Sequence, residues 1–306
     1  MKVLVATEKP FAAVAVEGIR KEIEGAGNEL VLLEKYTEKA QLLDAVKDAD
    51  ALIVRSDKVT PEVLDAAANL KIVVRAGAGY DNIDTAYAKD KGVVVENTPG
   101  QNSNAVAELV FGMMVFAVRN FYNGKAGTEL MGKKLGILAF GNVGRNVARI
   151  AKGFGMQVSA LDPFVADDVM IADGITPVHS VEELYSNNQF VSLHIPATPK
   201  TKKSVNEALI SLMPAKGVLI NTARKEVIDE DSLLQALENR TDIMYVADVR
   251  PDNADVLNEK FADRVFFTPK KMGAQTAEAN INAGIAAAKQ VVANLADGWN
   301  KFQVNK

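Results

Sequence analysis

The chain has 306 residues, of which 48% are hydrophobic and 24% are charged, and its formal net charge is −4. This composition is ordinary for a soluble globular protein, and at roughly 150 residues per domain the length indicates two domains. A mildly acidic chain has no general attraction for nucleic acid or anionic lipid. The absence of cysteine excludes disulfides, thiolate metal sites and cysteine nucleophiles. The first apolar stretch is too short for a signal peptide, and the longest is too short to span a membrane, so we expect a cytoplasmic protein.

Short β-branched segments alternate with amphipathic segments along almost the whole chain. Uninterrupted apolar runs such as Leu-Ile-Val are typical of parallel strands that are covered on both faces. Twelve strands are too many for one ordinary sheet, so the pattern predicts an α/β fold of two doubly wound parallel-sheet domains. The predicted strands are Lys2–Thr7, Glu29–Glu34, Ala51–Arg55, Lys71–Arg75, Val93–Asn97, Lys134–Phe140, Gln157–Asp162, Ile175–Val178, Phe190–Ile195, Gly217–Thr222, Ile243–Asp248 and Arg264–Thr268.

Helices are predicted between these strands, and turn residues at Asn97–Gly100 place a domain boundary before a long helix. A second long helix, rich in alanine, lies near the C-terminal end. This helix either extends the second domain or crosses back to the first. The main predicted helices are Phe11–Glu24, Pro61–Ala68, Asp84–Lys89, Asn102–Arg119 and Ala274–Asp297.

Residues 135–148 predict an apolar strand, a glycine turn and a helix. Gly141 and Gly144 match the second and third glycines of the dinucleotide-binding pattern G-x-G-x-x-G, and Ala139 stands at the first. We expect the alanine to fit through a negative φ. The start of the following helix offers free N–H groups and a positive dipole end to phosphates. The residues predicted to bind the cofactor pyrophosphate are Gly141, Asn142, Val143 and Gly144.

Asp162 ends the next predicted strand, about 20 residues beyond the turn. A carboxylate at this position binds the adenosine ribose hydroxyls and repels a 2′-phosphate. The sequence therefore predicts NAD, rather than NADP, as the cofactor.

A set of ordered motifs adds to this reading, and together they make the sequence resemble the D-isomer-specific 2-hydroxyacid dehydrogenase family over essentially its full length. The resemblance implies a flavodoxin-like substrate-binding domain of residues 1–98 and 281–306, and a Rossmann NAD-binding domain of residues 99–280. It also implies a homodimer formed through the NAD-binding domain, with the last long helix as the return crossover. Because the chain stops at Lys306, we expect none of the C-terminal regulatory domains that some members carry. The motifs are Val54-Arg55-Ser56, the stretch 75–84, Asn97-Thr98-Pro99, Asn102-Ser103, Ala107-Glu108, the turn 139–144, Asn221-Thr222-Ala223-Arg224 and Ala247-Asp248-Val249.

The resemblance implies that Arg224 is the catalytic arginine, which binds the substrate carboxylate and the reacting oxygen. A guanidinium suits this role because it binds two oxygens in one plane and keeps its charge. Asp248 is expected near the nicotinamide, with a helix or loop cap as its alternative role. The further residues implied to line the cofactor are His194, Pro196, Thr222 and Ala223.

The proton-transfer residue departs from the family pattern, which has a histidine in the segment T-P-H-x-G-A. Here the segment reads Thr-Pro-Lys-Lys-Met-Gly-Ala over residues 268–274. Counting back from Gly273 puts Lys271 in the histidine slot, and counting forward from Pro269 puts Lys270 there. We prefer Lys271, because the expected helix start constrains the geometry more firmly than the loop does.

The glutamate that partners the family histidine is also replaced, since ungapped spacing puts Asn253 in its slot with Asp252 one residue away. A carboxylate beside a lysine would raise a pKa that is already near 10.4, so its loss is consistent with a lysine base. We expect Lys270, Arg224, a helix N-terminus and burial to lower the pKa of Lys271 by about three units. The alternative is that both lysines are solvated and that the protein binds NAD without turnover.

Two arginines that follow the apolar runs of predicted strands, Arg55 and Arg75, indicate a substrate phosphate. The glycine-rich loop after Arg75 can add backbone N–H groups as an anion-binding nest. The sequence thus predicts a phosphorylated 2-hydroxy acid as substrate, with no metal ion. Hydroxypyruvate or glyoxylate reduction, and NAD binding without catalysis, are the alternatives. The predicted substrate-binding residues are Arg55, Ser56, Arg75, Ala76, Gly77 and Asn102.

Overall fold

The computed structural model describes all residues, 1–306, and they form two compact units. The first unit contains Met1–Asn102 and Gln275–Lys306, and the second contains Ser103–Ala274. The boundaries that we predict from the sequence follow residues 98 and 280. The last long helix lies in the first unit, which answers the question that its sequence leaves open.

The first unit is built on a five-stranded parallel sheet in the order β2-β1-β3-β4-β5, which is the flavodoxin-like strand order. Its strands are β1 (Lys2–Thr7), β2 (Glu29–Glu34), β3 (Ala51–Val54), β4 (Ile72–Arg75) and β5 (Val94–Asn97). Its helices are α1 (Ala13–Gly25), α2 (Lys39–Ala45), α3 (Pro61–Ala66), α4 (Thr85–Asp90) and α12 (Ala277–Asp297).

Alternate residues of this sheet serve two apolar layers, because successive side chains of a strand point to opposite faces. Val3 and Val5 of β1 pack with α1 and α12, whereas Leu4 and Ala6 pack on the side of α2 and α3. β1 and β3 are buried on both faces, as their continuous apolar runs predict.

The second unit has a seven-stranded parallel sheet in the order β12-β11-β10-β9-β6-β7-β8. Its strands are β6 (Lys134–Leu138), β7 (Gln157–Leu161), β8 (Thr176–Pro177), β9 (Phe190–Leu193), β10 (Val218–Asn221), β11 (Met244–Ala247) and β12 (Val265–Phe267). Its helices are α5 (Ser103–Val118), α6 (Asn142–Gly153), α7 (Asp167–Ala172), α8 (Val181–Asn187), α9 (Glu207–Ser211), α10 (Glu230–Asn239) and α11 (Ala254–Phe261).

The strand order of the second unit reverses between β6 and β9, which both lie at its centre. In open parallel sheets, ligands bind beyond the carboxyl ends of the strands at such a reversal. The loops that begin at Ala139 and His194 follow these two strands, so the predicted cofactor residues lie at the expected end of the sheet.

All twelve predicted strands are present, and the α/β prediction is confirmed. Eight strands end one or two residues earlier than predicted, and in six of them the chain leaves the sheet at a polar residue that follows the strand. The last helix begins at Ala277 rather than Ala274, because the side chain of Thr276 caps it by accepting a hydrogen bond from the Ala279 N–H. None of the helices combines the length and the apolar character that crossing a membrane requires.

Candidate active site

The glycine turn after β6 has the shape that a dinucleotide phosphate needs. A Cβ on Gly141 would meet no atom within 4 Å, so the space beside this residue is open. A Cβ on Gly144 would lie 2.3 Å from the carbonyl oxygen of Ala139, so only glycine allows α6 to pack this closely on the turn. α6 begins at Asn142, as predicted, and its first turn presents free N–H groups. These features fit the pyrophosphate of NAD.

Ala139 differs from its prediction, because its φ is +80° rather than negative. This left-handed conformation costs an alanine roughly 1–2 kcal/mol, whereas glycine adopts it freely. The Ala139 N–H donates to the carbonyl of Leu161, which holds the turn against the end of β7. Alanine therefore replaces the first glycine of the pattern, while the backbone keeps the left-handed conformation that glycine would adopt there.

Asp162 follows β7, and two backbone N–H groups orient its carboxylate. The N–H of Phe140 donates to Oδ2 at 2.8 Å and that of Phe164 donates to Oδ1 at 2.9 Å. Each carboxylate oxygen keeps a second lone pair, and the residue is partly exposed. Asp162 thus stabilises the glycine turn and can still accept hydrogen bonds from ribose hydroxyls.

The turn after β10 brings Arg224 into the second unit's strand-end region. Asn221 shapes this turn, because its Oδ1 accepts from the Ala223 N–H at 2.9 Å and its Nδ2 donates to the Arg224 carbonyl at 3.0 Å. The guanidinium of Arg224 donates through Nη1 to the carbonyl of Ala223 at 3.0 Å.

Lys271 meets the same carbonyl group, since its Nζ lies 3.5 Å from the Ala223 oxygen. The structure therefore brings the amine of Lys271 and the guanidinium of Arg224 to a single backbone oxygen. Lys271 is solvent-exposed, so the expected burial is not found. The expected helix start is also displaced, since α12 begins at Ala277 and not at Ala274. Lys270 is exposed as well.

Asp248 is buried and caps the loop that carries the two lysines. Its carboxylate accepts from the Thr268 hydroxyl at 2.8 Å and from the backbone N–H groups of Met272 at 2.6 Å and Gly273 at 2.8 Å. Of the two roles that the sequence leaves open for Asp248, the structure shows the loop cap. Its contact with nicotinamide stays a prediction.

His194 is not suited to proton transfer near neutral pH. His194 has Nε2 at 2.9 Å from the Ser192 hydroxyl and Nδ1 at 3.5 Å from the Thr222 hydroxyl, and burial lowers its pKa to about 3. His179 is exposed beside Asp167. His194 therefore remains neutral near pH 7, which is consistent with a side chain that lines a cofactor. Pro196 lies in the loop that follows His194.

The residues in the family's glutamate slot have other partners. The carboxylate of Asp252 pairs with Lys225 at 2.5 Å, and Asn253 donates through Nδ2 to the Glu230 carbonyl at 3.1 Å. The Glu230 carboxylate in turn accepts from the backbone N–H groups of both residues. Asp252 thus takes part in a surface ion pair with Lys225.

Arg55 of the first unit follows β3 and is partly buried, and burial lowers its pKa. Its Nη1 donates to the carbonyls of Lys9 at 3.1 Å and Pro10 at 3.2 Å, and its Nη2 donates to Oδ1 of Asn280 at 2.6 Å. The guanidinium also lies 5.1 Å from the centre of the Phe11 ring. None of these partners is a carboxylate, so the charge of Arg55 has no direct counterion.

Arg75 approaches Arg55, because its Nε donates to the Arg55 carbonyl at 2.9 Å. A Cβ on Gly77 would lie 1.4 Å from the Nη1 atom of Arg75, so this glycine makes room for the arginine side chain. The N–H groups of Ala76 and Gly77 already donate to the carbonyls of Val54 and Arg75. An anion-binding nest in this loop therefore has to begin at Ala78, later than predicted.

The other predicted substrate residues are less constrained. Ser56 is exposed, and Asn102 is partly buried at the end of the first segment of its unit. The sequence did not identify Asn280 or Phe11, and it gave Asn221 only as part of a family motif, without its role in the turn. Asn280 is 225 residues from Arg55 in the chain, so no local pattern could have connected the two.

Comparison with known proteins decides the family. Residues 111–270 match the model of the D-isomer specific 2-hydroxyacid dehydrogenase NAD-binding domain. The chain belongs to this family. The predictions of the family and of NAD as cofactor are thereby confirmed.

Curated relatives carry two different names. The chain is 38% identical to D-3-phosphoglycerate dehydrogenase of Methanocaldococcus jannaschii over 268 residues, covering 83% of this chain and 51% of that protein. It is 35% identical to hydroxypyruvate reductase of Thermotoga maritima over 287 residues, covering 87% and 92%. The chain thus spans about half the length of the curated phosphoglycerate dehydrogenases that it matches.

A solved structure matches the whole chain. The NAD⁺-bound 3-phosphoglycerate dehydrogenase of Entamoeba histolytica is 47% identical, with a TM-score of 0.88, and the match covers 100% of this chain and 99% of that one. The apo-structure of D-lactate dehydrogenase from Escherichia coli has a TM-score of 0.79 at 25% identity over 99% of this chain and 100% of that one. The fold is therefore shared among members whose names give different substrates.

Proposed function

We propose that this protein is an NAD-dependent dehydrogenase that oxidises D-3-phosphoglycerate to 3-phosphohydroxypyruvate, an entry step to serine. The observation that carries the proposal is the meeting of Lys271 and Arg224 at the Ala223 carbonyl. It provides a group for proton transfer beside a group for the substrate carboxylate, at the carboxyl end of a parallel sheet.

In this mechanism Arg224 binds the carboxylate and the C2 oxygen of the substrate through its planar guanidinium. Lys271 takes the hydroxyl proton in oxidation and returns it in reduction. The positive charge of Arg224 favours the neutral amine of Lys271, which is the form that accepts a proton. A bound NAD would supply the acceptor for the C2 hydride. The turn at Gly141–Gly144 would hold its pyrophosphate, and Asp162 would bind its ribose. The remaining cofactor-lining residues would be His194, Pro196, Thr222, Ala223 and Asp248.

The proposed substrate class follows from Arg55 and Arg75. Arg55 is partly buried with only neutral hydrogen-bond partners, which leaves a positive charge for an anion to compensate. The nearest acidic group that acts on it, Asp57, accepts hydrogen bonds from the Glu8 and Arg55 N–H groups and the Tyr36 hydroxyl. A substrate phosphate is suited to this position, and Arg75 supplies a second guanidinium.

A homodimer through the second unit is part of the proposal. Tyr122 and Met131 are exposed apolar side chains of this unit, and the Phe116 ring packs against those of Phe121 and Tyr122. A contiguous exposed apolar patch is typical of a subunit interface, and these side chains are the ones that would contribute to it. Light scattering on the purified protein measures the subunit number.

A second candidate function is reduction of hydroxypyruvate or glyoxylate, because the hydroxypyruvate reductase relative is matched over 92% of its length. Oxidation of NADH by the purified protein, with phosphohydroxypyruvate, hydroxypyruvate and glyoxylate compared by kcat/KM, separates the two. We expect phosphohydroxypyruvate to be preferred. Equal use of hydroxypyruvate would contradict the proposed substrate, and NAD binding without any turnover would contradict the enzyme.

The lysine assignment is tested by substitution at both positions. We expect Lys271→Ala to lower kcat by about 10²- to 10⁴-fold, the usual contribution of a general acid or base. Lys271→Arg keeps the charge but cannot release a proton, so we expect an equal loss. Lys270→Ala and Lys270→Arg are the matched controls and should keep most of the activity. Full activity in Lys271→Arg would show that this residue transfers no proton.

A further inference from the structure

The guanidinium of Arg55 is held on two sides by neutral groups, and Asn280 is the only side chain that accepts a hydrogen bond from it. Carbonyls of Lys9 and Pro10 accept from Nη1, while Oδ1 of Asn280 accepts from Nη2 at 2.6 Å. The Phe11 ring lies against one face of the guanidinium. Three contacts account for at most three of the five N–H hydrogens of an arginine. At least two hydrogens, including that of Nε, therefore remain for a ligand.

Asn280 is itself fixed by its helix. It lies in the first turn of α12, and its Nδ2 donates to the carbonyl of Thr276 at 2.8 Å. This contact requires the amide nitrogen on one side and so directs Oδ1 towards Arg55. The orientation of the amide and the position of the guanidinium are thus set together.

The chemical type of this side chain matters as much as its position. Aspartate has nearly the same shape as asparagine and would accept the same hydrogen bond from Nη2. It would also place a full negative charge 2.6 Å from the guanidinium and neutralise it. An amide anchors Arg55 without supplying a counterion, whereas a carboxylate would compete with any anionic ligand.

We propose that Asn280 is a positioning residue that gives the enzyme its selectivity for a phosphorylated substrate, by orienting Arg55 while leaving its charge uncompensated. This inference rests on the proposed function, because it assigns the phosphate to Arg55. Asn280 itself need not touch the substrate. Its effect should therefore appear in the KM for phosphorylated substrate and much less in kcat.

The test uses Asn280→Asp, Asn280→Ala and the control Asn282→Asp, in the full chain with NADH. Asn282 is an exposed residue two positions along the same helix, so its substitution adds the same charge without touching Arg55. KM and kcat are measured for phosphohydroxypyruvate and for hydroxypyruvate, and thermal unfolding is measured for each variant.

For Asn280→Asp we expect the KM for phosphohydroxypyruvate to rise tenfold or more, on the order expected for losing a charged hydrogen bond. The KM for hydroxypyruvate should change by less than about threefold. The folded state should be no less stable than that of Asn280→Ala, because both variants lose the hydrogen bond from Asn280 Nδ2 to the Thr276 carbonyl and only aspartate keeps a bond to Arg55. Asn280→Ala should raise the same KM by a smaller factor, because the arginine loses an anchor but keeps its charge. Asn282→Asp should resemble the wild type.

A purely structural role predicts the opposite order, because both substitutions remove the hydrogen bond to the Thr276 carbonyl but only aspartate keeps the bond that accepts from Arg55. The inference is overturned if Asn280→Asp keeps the wild-type preference for phosphohydroxypyruvate, or if Asn280→Ala is the more impaired variant. The proposed function is tested separately, by comparing the preference for phosphohydroxypyruvate over hydroxypyruvate in the wild type and in Arg55→Ala. If the wild type shows no preference for the phosphorylated substrate, both the proposed substrate and this inference are wrong.

Discussion

Ala139 shows how a single residue can depart from a motif while the chain keeps the motif's backbone. Its φ of +80° lies in the region that glycine occupies at the first position of G-x-G-x-x-G. The sequence identified the position but not the conformation. The turn is imposed by the contact with the end of β7 and by the close packing of Gly144, which are both tertiary contacts.

We predict that Ala139→Gly stabilises the protein by about 0.5–1 kcal/mol, because the relief of left-handed strain exceeds the entropy that glycine adds to the unfolded chain. Urea denaturation measures the difference in free energy of unfolding. Ala172→Gly is the control, since Ala172 is the exposed last residue of helix α7 and has no positive φ, so the same substitution should give no gain in stability there. A loss of stability in both variants would show that the φ at Ala139 carries no strain.

The proposed catalytic residues were predictable to different degrees. Arg224 and the glycine turn follow from motifs that are local in sequence, and the choice between Lys270 and Lys271 came from counting alone. The structure adds the shared Ala223 carbonyl, which involves Lys271. The capping of the lysine loop by Asp248 depends on a contact across 20 to 25 residues of chain, so the sequence left its role open.

At the scale of the elements, the C-terminal segment extends the edge of the first sheet. The Val304 N–H donates to the Val95 carbonyl at 2.9 Å, and the side chain of Asn305 bonds both the Val95 N–H and the Val93 carbonyl. The segment therefore covers the otherwise free edge of β5, which limits pairing with other chains. The hydrophobic pattern did not predict the position of this C-terminal segment, because hydrogen bonds of Val304 and Asn305 hold it on β5.

Glu96 is fully buried under this segment, and we expect it to make the free energy of unfolding of the protein depend on pH. Its Oε1 accepts from the Phe302 N–H at 3.0 Å, and its Oε2 has no partner. Burial raises its pKa to about 7, against the weaker effects of the Phe302 hydrogen bond and of Lys306. A carboxyl whose pKa is raised in the folded state contributes its full stabilisation at a pH below its pKa in the unfolded chain, which is about 4.3. That contribution is lost as the pH rises through about 7.

We predict that Glu96→Gln becomes more stable relative to the wild type as the pH rises from about 5 to about 8, by up to about 3 kcal/mol. Urea denaturation at several pH values gives the difference. Glu17→Gln, at an exposed position of α1, is the control and should follow the wild type throughout. A stability difference between Glu96→Gln and the wild type that is independent of pH would show that Glu96 does not titrate in this range.

At the scale of the whole molecule, the chain has two sheets with separate apolar layers, and only the second unit carries the glycine turn. A ligand that binds one unit stabilises that unit by mass action, by about 2.7 kcal/mol at a hundred times its dissociation constant. The single tryptophan, Trp299, lies in the other unit and reports on it separately.

We predict that NAD slows hydrogen exchange in the core strands of Ser103–Ala274 under mild denaturant, while the fluorescence transition of Trp299 moves little. Mass spectrometry of proteolytic fragments resolves the exchange of each unit. ADP-ribose serves as the control ligand, since it offers the same pyrophosphate and adenosine ribose to the turn. Equal shifts of both signals would show that the two units unfold as one cooperative body.

The sequence by itself determined the elements that depend on neighbouring residues. The twelve strands, the parallel class, the glycine turn with Asp162, and the family motifs all follow from short-range patterns of apolar residues, glycines and charges. Only the tertiary structure decided the backbone at Ala139, the anchoring of Arg55 by Asn280, the cap of Asp248 on the lysine loop and the burial of Glu96. These features depend on contacts between residues that are far apart in the chain, and a pattern of neighbouring residues does not show which distant residues come into contact.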